Sequence, residues 1–418
     1  MRALRLPPLL KDRAFRRYFA GATVSQFGDR ISGIAVPLTA VLALHAGAAQ
    51  MGYLTAAGLV PFLLLSIHVG IFVDRRGRRR RLMIAADIGR ALLLATIPAA
   101  FLLGRLTMAQ LYIVAFGAGT LTLAFQVANS ALFTAIVTEG RYVEANALLN
   151  GSRAVSMLGG PSIGGMLVQA LSAPLAILAD AVSFLGSAAA LLRIAPQEPP
   201  PAPARRGDTL TGLRYLWRSP TLRPSMLAVT TINLFNYIFS ALFVLYATRA
   251  LHVAPAALGL VFGTGAVGAI AGALGAGRIG RRIGIGAMLL LGTVLFPAPL
   301  VLVPLAGGAG TEVFLYLVLA ELGSGFGVML LDIGFGSLAA AAVPDEIRAR
   351  VMGAFAAVNY GIRPIGALLG GFLPAAIGLH GTLWLGAVGA LLGVLWLLPS
   401  PVPSIWQVDD QAARATEP

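Results

Sequence analysis

The sequence predicts an all-α membrane protein, with twelve transmembrane helices in two parallel-repeat six-helix bundles, and three observations carry that prediction. Of 418 residues, 57% are hydrophobic and only 11% are charged, with a mean hydropathy of +0.83; so few charges could not clothe a water-soluble fold of this length. Apolar runs of roughly 20 residues, the length a helix needs to cross about 30 Å of hydrocarbon, recur from Tyr18 to near Leu398. They lack the alternation of a membrane barrel and therefore read as helices. The two halves also repeat. A shift of about 207 positions lays Gly70, Arg75 and Gly77 over Gly277, Arg282 and Gly284. At nearly the same offset Gly117 and Gly119 meet Gly323 and Gly325, and TEGRYVEANAL from Thr138 meets PDEIRARVMGAF from Pro344. A repeat of that length means two six-helix halves of like orientation.

Taken in order, a basic arm (Arg2, Arg5, Lys11, Arg13, Arg16, Arg17) leads into the first span, and a second span follows where a signal peptide would show a small-residue cleavage site. The first span is therefore expected to be retained. Spans are expected near 18–43, 51–73, 82–103, 109–136, 147–170 and 175–193, then near 224–247, 255–277, 286–305, 312–338, 351–376 and 382–398. Arginines crowd the connections at 75–81, 193–223, 278–282 and 348–350, whereas the opposite side holds little beyond Arg105 and Arg249. By the positive-inside rule both termini are expected to be cytoplasmic. The proline- and arginine-rich stretch PQEPPPAPARRGD divides the spans six and six. The expected organisation is an N-terminal bundle over 1–194, a cytoplasmic linker over 195–220, a C-terminal bundle over 221–400 and a cytoplasmic tail over 401–418.

Several function classes fall away. There is no cysteine, and the four histidines (His45, His68, His252, His380) are too scattered for a metal motif, so neither metal nor redox cofactor is expected. The net charge of +14 sits in loops on one side of a membrane and forms no basic face with interleaved aromatics, so nucleic acid is not an expected partner. Lys11 is the only lysine, which leaves no phosphate loop for ATP. Gly263, Gly265 and Gly268 satisfy G-x-G-x-x-G, but they lie inside an apolar span without a preceding strand and read as close helix packing. No nucleophile, base and orienting group come together at either membrane face, so no enzyme is expected.

The strongest local signal is GIFVDRRGRRRR, Gly70 to Arg81, between spans two and three. Asp74 can close a helix end, Gly77 allows a tight turn, and the arginines can pair with carboxylates or with the anionic headgroups of the inner leaflet. The plainer reading is a positive-inside loop; the joint placement of glycine, aspartate and arginine argues against it. At these residues the chain resembles the major facilitator superfamily, whose signature G-x-x-x-D-R-x-G-R-[RK] stands here as Gly70, Asp74, Arg75, Gly77, Arg78 and Arg79. The twelve spans, the six-plus-six split and the weaker copy at Gly277 to Gly284 extend the resemblance over the whole chain. Within the superfamily it looks most like bacterial macrolide-efflux and enterobactin-exporter type proteins, on FRRYFAGATVSQFGDRISGIAVPL, ADIGRALLL and VPDEIRARVMGAF. Arg281 stands in the second copy where Asp74 stands in the first, so the role of the loop is carried only to the first copy. In span five, Gly160, Pro161, Gly164 and Gly165 match the G-P-x-x-G-G core of the superfamily's antiporter signature, while Ala147 and Ser156 replace its upstream glycines. These four residues suit either a hinge or seal between halves or ordinary small-residue packing. The span-four arginine of many proton antiporters has no counterpart; Gln126 and Asn129 are the polar residues there.

Charges within spans cost roughly 2.5–3.5 kcal/mol on insertion scales and need a partner or a water-filled cavity. Asp87 and Arg90, three apart, share a helix face and read as a local pair. Asp29 lies about 11 residues into span one, roughly 16 Å deep at 1.5 Å per residue. The resemblance places spans one, four, seven and ten around a central cavity, with Asp29 and Glu321 at similar depth. These two, with Asp332, Arg153 and Arg363, are the candidates for proton or substrate coupling; the alternative is a structural bridge from Asp29 or Glu321 to Arg153 or Arg363. Cavity candidates are Gln26, Gln126, Asn129, Asn233, Asn236, Tyr237, Asn359 and Tyr360. Such a lining is amphipathic and suits a large, partly apolar substrate. The resemblance thus implies a monomeric secondary transporter of a bacterial inner membrane, exporting a drug-like or siderophore-like molecule by proton antiport with alternating access. An ion-independent facilitator, a lipid translocator and a non-transporting membrane receptor are the alternatives.

Overall fold

The computed structural model describes residues 7–196, 198, 209–308 and 310–406, and for Ile67, Asp74, Arg75, Arg76, Glu139, Thr209 and Leu210 it describes the backbone only. Among the described residues there is no strand. The chain falls into two compact units, one formed by Met1–Ala46 with Ala57–Arg205 and the other by Gly47–Ala56 with Arg206–Pro418.

The first unit begins with a short turn, Pro8–Lys11, and α1, Arg13–Leu38. Asp12 starts α1 by accepting from the N–H groups of Ala14 and Phe15 at 2.7 and 2.9 Å, which satisfies two of the donors a helix start leaves free. Pro37 interrupts the ladder near its end, and the chain continues as a π turn, Thr39–Ala43. Helices α2 (Ala48–Arg76), α3 (Arg79–Leu102), α4 (Met108–Ile136), α5 (Tyr142–Leu171) and α6 (Ala173–Leu192) follow. The second unit holds α7 (Thr209–Arg218), α8 (Leu222–Arg249), α9 (Pro255–Ile283), α10 (Ile285–Leu295), the single turn α11 (Leu302–Leu305), α12 (Thr311–Ala342), α13 (Asp345–Phe372), α14 (Pro374–Leu391) and the single turn α15 (Val394–Leu397).

Ten of these segments are long and apolar enough to cross a membrane. The two other long helices are α1 and α13, which carry Gln26, Asp29 and Arg30, and Asn359, Tyr360 and Arg363, in their middles. The expected spans are thus present as helical segments among the described residues, two of them polar in their middles. Apolar side chains point outward throughout, among them Leu102 and Leu274, each 72% exposed, a surface that suits lipid and not water.

The span expected near 286–305 is present and is interrupted at Pro297 and Pro299, running as α10, a 3-10 turn over Ala298–Val301 and α11. The connection expected over 195–220 contains α7, an amphipathic helix whose Leu216 is buried and whose Tyr215 hydroxyl donates to the Ala342 carbonyl at 2.5 Å. The linker's residues 199–208 and the tail's residues 407–418 lie outside the described residues.

The internal repeat is visible in the backbone. His45 and His252, 207 positions apart, are both left-handed, with φ of 52° and 53°. Each sits beneath a matching closure, from the Ala46 N–H to the Ala40 carbonyl at 2.8 Å and from the Val253 N–H to the Ala247 carbonyl at 2.9 Å. This is a helix-ending motif in which histidine holds the position usually given to glycine. Gly77 and Gly284, also 207 apart, have φ of 60° and 88° and turn the chain from α2 into α3 and from α9 into α10.

Close helix approach depends on missing side chains. A Cβ on Gly268 of α9 would run into the Leu322 carbonyl of α12, and one on Gly325 of α12 would run into the Gly265 carbonyl of α9. Gly268→Ala and Gly325→Ala are each expected to destabilise the second unit by about 1–3 kcal/mol through overpacking. Thermal unfolding of the detergent-solubilised protein checks this. Gly33→Ala, where nothing lies within 4 Å, should leave the unfolding temperature unchanged or slightly raised.

Candidate functional site

The charges of the first unit converge on Arg90. This residue is buried on α3, with its side chain 2% exposed, and pairs through Nη2 with Asp87 Oδ1 one turn earlier. Its Nη1 lies 3.9 Å from Asp29 Oδ1 on α1 and donates to Thr122 Oγ1 on α4 at 3.4 Å. The guanidinium plane is held by two aromatic rings, Phe184 of α6 at 3.9 Å and Phe125 of α4 at 4.7 Å. Four helices thus fix one cation, and aromatic faces stabilise a guanidinium where water cannot.

A third carboxylate completes the cluster. Asp180 on α6 is buried, accepts from Ser183 Oγ at 3.0 Å, and lies within the electrostatic reach of Asp29 and Arg90. Ser32 faces Asp180, and Ser187 faces Asp87. Gly28 makes this possible, since a Cβ there would occupy the space of Ser183 Oγ and Asp180 Oδ1. Gly21, seven residues earlier on the same face of α1, meets Ala190 of α6. The small residues of α1 therefore let the polar face of α6 come within bonding distance.

Asp29, Ser32, Arg90, Thr122 and Asp180 border a cavity of about 140 Å³ between α1, α3, α4 and α6. Asp29, 47% exposed, and the buried Asp180 both line it, while Asp87 is buried behind Arg90. Much of the remaining wall is apolar, with Val36, Leu94, Val114 and Phe184. Arg90 balances one carboxylate. Arg30, adjacent in sequence and exposed, adds its field to Asp29. The cluster therefore holds more carboxylates than buried cations, a reachable acid backed by two enclosed ones. Chemically, it can take up a proton or a cation at Asp29 and use Arg90 to exchange partners.

Among the described residues Asp29 pairs with Arg90 and not with Arg153 of the same unit. Successive residues of a helix point about 100° apart; Arg30 and Ile31 turn toward Gly160 and Gly164 of α5, which leaves Asp29 facing α3 and α6. Arg153 on α5 is exposed and faces the charge of Arg30. Gly160, Pro161, Gly164 and Gly165 are all buried, and Gly160 and Gly164 serve the α5–α1 contact. Asn129 accepts from the Tyr18 hydroxyl at 2.7 Å, tying α4 to α1. Gln126 is exposed and Gln26 is half-buried with Oε1 free of partners among the described residues.

In the second unit the sequence candidates gather on α8 and α13. Asn233 Nδ2 donates to Asn359 Oδ1 at 3.0 Å, and Arg363 lies over Tyr360 at 4.2 Å and Tyr237 at 5.4 Å. Asn236 is half-buried nearby on α8. Asp332 is exposed on α12 within the field of Arg363. Glu321 stands apart, its carboxylate over Gly265 of α9.

At the loop from Gly70 to Arg81, the side chains of Asp74 and Arg75 lie outside the described residues. Gly70 is half-buried with nothing within 4 Å of its would-be Cβ, and Gly77 forms the turn. Arg78 is exposed and Arg79 is buried. Sequence reasoning missed Glu198, whose carboxylate accepts from the Arg79 and Arg80 N–H groups at 2.6 and 3.1 Å and so caps α3, while the Arg80 side chain bonds the Ile194 carbonyl. The signal was a carboxylate among the prolines of a basic stretch.

Arg90→Ala is expected to destabilise the first unit by about 3–5 kcal/mol, because it leaves buried carboxylates uncompensated. Arg90→Met combined with Asp87→Leu should recover part of that loss, and thermal unfolding of both variants measures the difference.

The sequence pattern of the transmembrane secretion effector family matches residues 5–418. The multidrug efflux pump Tap of Mycolicibacterium fortuitum is 28% identical over 402 residues, covering 90% of this chain and 93% of that one. The MFS-type transporter YfiS of Bacillus subtilis is 26% identical over 405 residues, covering 94% of each. Among solved structures, the nucleoside transporter NupG aligns with a TM-score of 0.73 at 13% identity over 92% of this chain and 99% of that one. A bacterial homologue of the iron transporter ferroportin, inward-facing, aligns with a TM-score of 0.72 at 17% identity over 93% and 98%. Matched along nearly its whole length, this chain is a membrane transporter and belongs to the transmembrane secretion effector family of the major facilitator superfamily.

Proposed function

We propose that the chain is a secondary active exporter of small amphipathic molecules, working by proton antiport with alternating access in a bacterial inner membrane. The observation that carries this reading is Asp29, an accessible carboxylate at a largely apolar cavity, backed by Arg90 and two buried carboxylates. A group so placed binds a proton or a cationic substrate, and competition between them exchanges one flux for the other. When Asp29 is neutralised, Arg90 retains Asp87 as its partner, so the buried arginine is never left alone. The resemblance to a multidrug efflux pump supports export of drug-like substrates.

Alternation would move one six-helix bundle against the other, with Gly70, Asp74, Arg75, Gly77, Arg78 and Arg79 forming the inner gate and Glu198 holding α3 to the linker. Both termini would then be cytoplasmic and the working unit a monomer. The polar middle of α13, with Asn359, Tyr360 and Arg363 beside Asn233 and Tyr237 of α8, supplies hydrogen-bonding and aromatic groups for substrate.

The test is transport by the purified protein in liposomes, using a macrolide, a cationic dye and a catecholate siderophore, with and without an imposed pH gradient. Gradient-driven movement of at least one compound is expected, falling at least tenfold in Asp29→Asn. Movement indifferent to the gradient and to that substitution would instead identify a facilitator or a lipid translocator.

A further inference from the structure

The second unit carries a groove that the transport reading does not use. It lies between α7 and the adjoining faces of α8 and α13, with a volume of about 500 Å³, within the range of ligand sites. Its walls are Leu213, Arg214, Trp217 and Arg218 of α7, with Met226, Leu227 and Thr230 of α8 and Val358 of α13. None of these is acidic.

The groove is built and does not result from a loosely placed helix. Gly212, Tyr215 and Leu216 fasten α7 to the unit: a Cβ on Gly212 would run into the Arg350 carbonyl, the Tyr215 hydroxyl bonds the Ala342 carbonyl, and Leu216 is buried. That anchorage turns two stripes outward, each with the four-residue spacing of one helix face. Leu213 and Trp217 form the apolar stripe, 38% and 54% exposed; Arg214 and Arg218 form the cationic one. Two like charges one turn apart repel each other, and an anion between them relieves that repulsion. In the wall opposite, the Thr230 hydroxyl has no hydrogen-bond partner among the described residues.

We propose that this groove seats an anionic phospholipid, its phosphate held between Arg214 and Arg218 and the start of an acyl chain lying along Leu213, Trp217, Met226 and Leu227. The chemistry is that of a polybasic segment at a membrane surface combined with an aromatic at the interface, where a ring and a guanidinium each meet the part of the lipid that suits them. The leaflet would be the inner one, a placement that rests on the cytoplasmic linker proposed above; lipid binding itself is read independently of orientation.

The full-length protein, purified in mild detergent, is titrated with phosphatidylglycerol and with phosphatidylcholine, and bound lipid is counted by native mass spectrometry. Phosphatidylglycerol is expected to bind at least tenfold more tightly, with the preference lost in Arg214→Gln/Arg218→Gln and retained in Arg214→Lys/Arg218→Lys. Arg13→Gln/Arg16→Gln, which removes the same charge from an exposed part of the first unit, should keep it. Trp217→Ala should weaken both lipids alike. Equal binding of the two lipids, an unchanged preference in the paired glutamine variant, or displacement of phosphatidylglycerol by soluble glycerol phosphate would each overturn the proposal. Unfolding temperatures of every variant separate lost lipid from lost fold.

Discussion

Hydrocarbon offers a charge neither water nor counter-ion, so a charge placed within a span must be answered by the protein itself. In the first unit that demand is met at Arg90. Its guanidinium has two carboxylates within reach, a threonine hydroxyl, and two aromatic faces drawn from α4 and α6. The positions of four helices are consequences of that arrangement as much as its causes. The same point explains why α1 is too polar to qualify as a span by composition. Asp29 and Arg30 are tolerated because one faces Arg90 and the other lays its stem along Gly160.

The repeat is one of backbone and not of chemistry. The helix-ending turns at His45 and His252, and at Gly77 and Gly284, recur 207 positions apart with like backbone conformation. The charge cluster does not repeat. At the corresponding distance Asp29 meets Asn236, Asp87 meets Val294 and Arg90 meets Pro297. The second unit answers with a different device, the stacked Arg363, Tyr360 and Tyr237 beside an asparagine pair. The first unit thus carries a buried cluster of charges, and the second a hydrogen-bonded and aromatic one.

Glycine and other small residues connect the two levels. Gly28 admits the Asp180 and Ser183 side chains to α1, and Gly268 and Gly325 bring the backbones of α9 and α12 together. Without close approach the carboxylates would be separated by ordinary side-chain packing, and the cavity beside Asp29 would be either larger or filled. The function proposed for Asp29 therefore rests on residues that do no chemistry.

By itself the sequence determined the class of solvent, the long helices, the turn at Gly77 and the pairing of Asp87 with Arg90. All of these are local or periodic: hydropathy, spacing along one helix and backbone preference are written within a few residues of where they act. Only the tertiary structure decided that Asp29 faces Arg90 and not Arg153, that Gly160 and Gly164 receive α1, that Glu198 caps α3, and that part of the linker is the helix α7. Each of these depends on how far one helix is rotated and how near it lies to another. A rotation of one residue, about 100°, changes the partner, and the closest approach is set by an absent Cβ. Hydropathy along the chain carries no record of either.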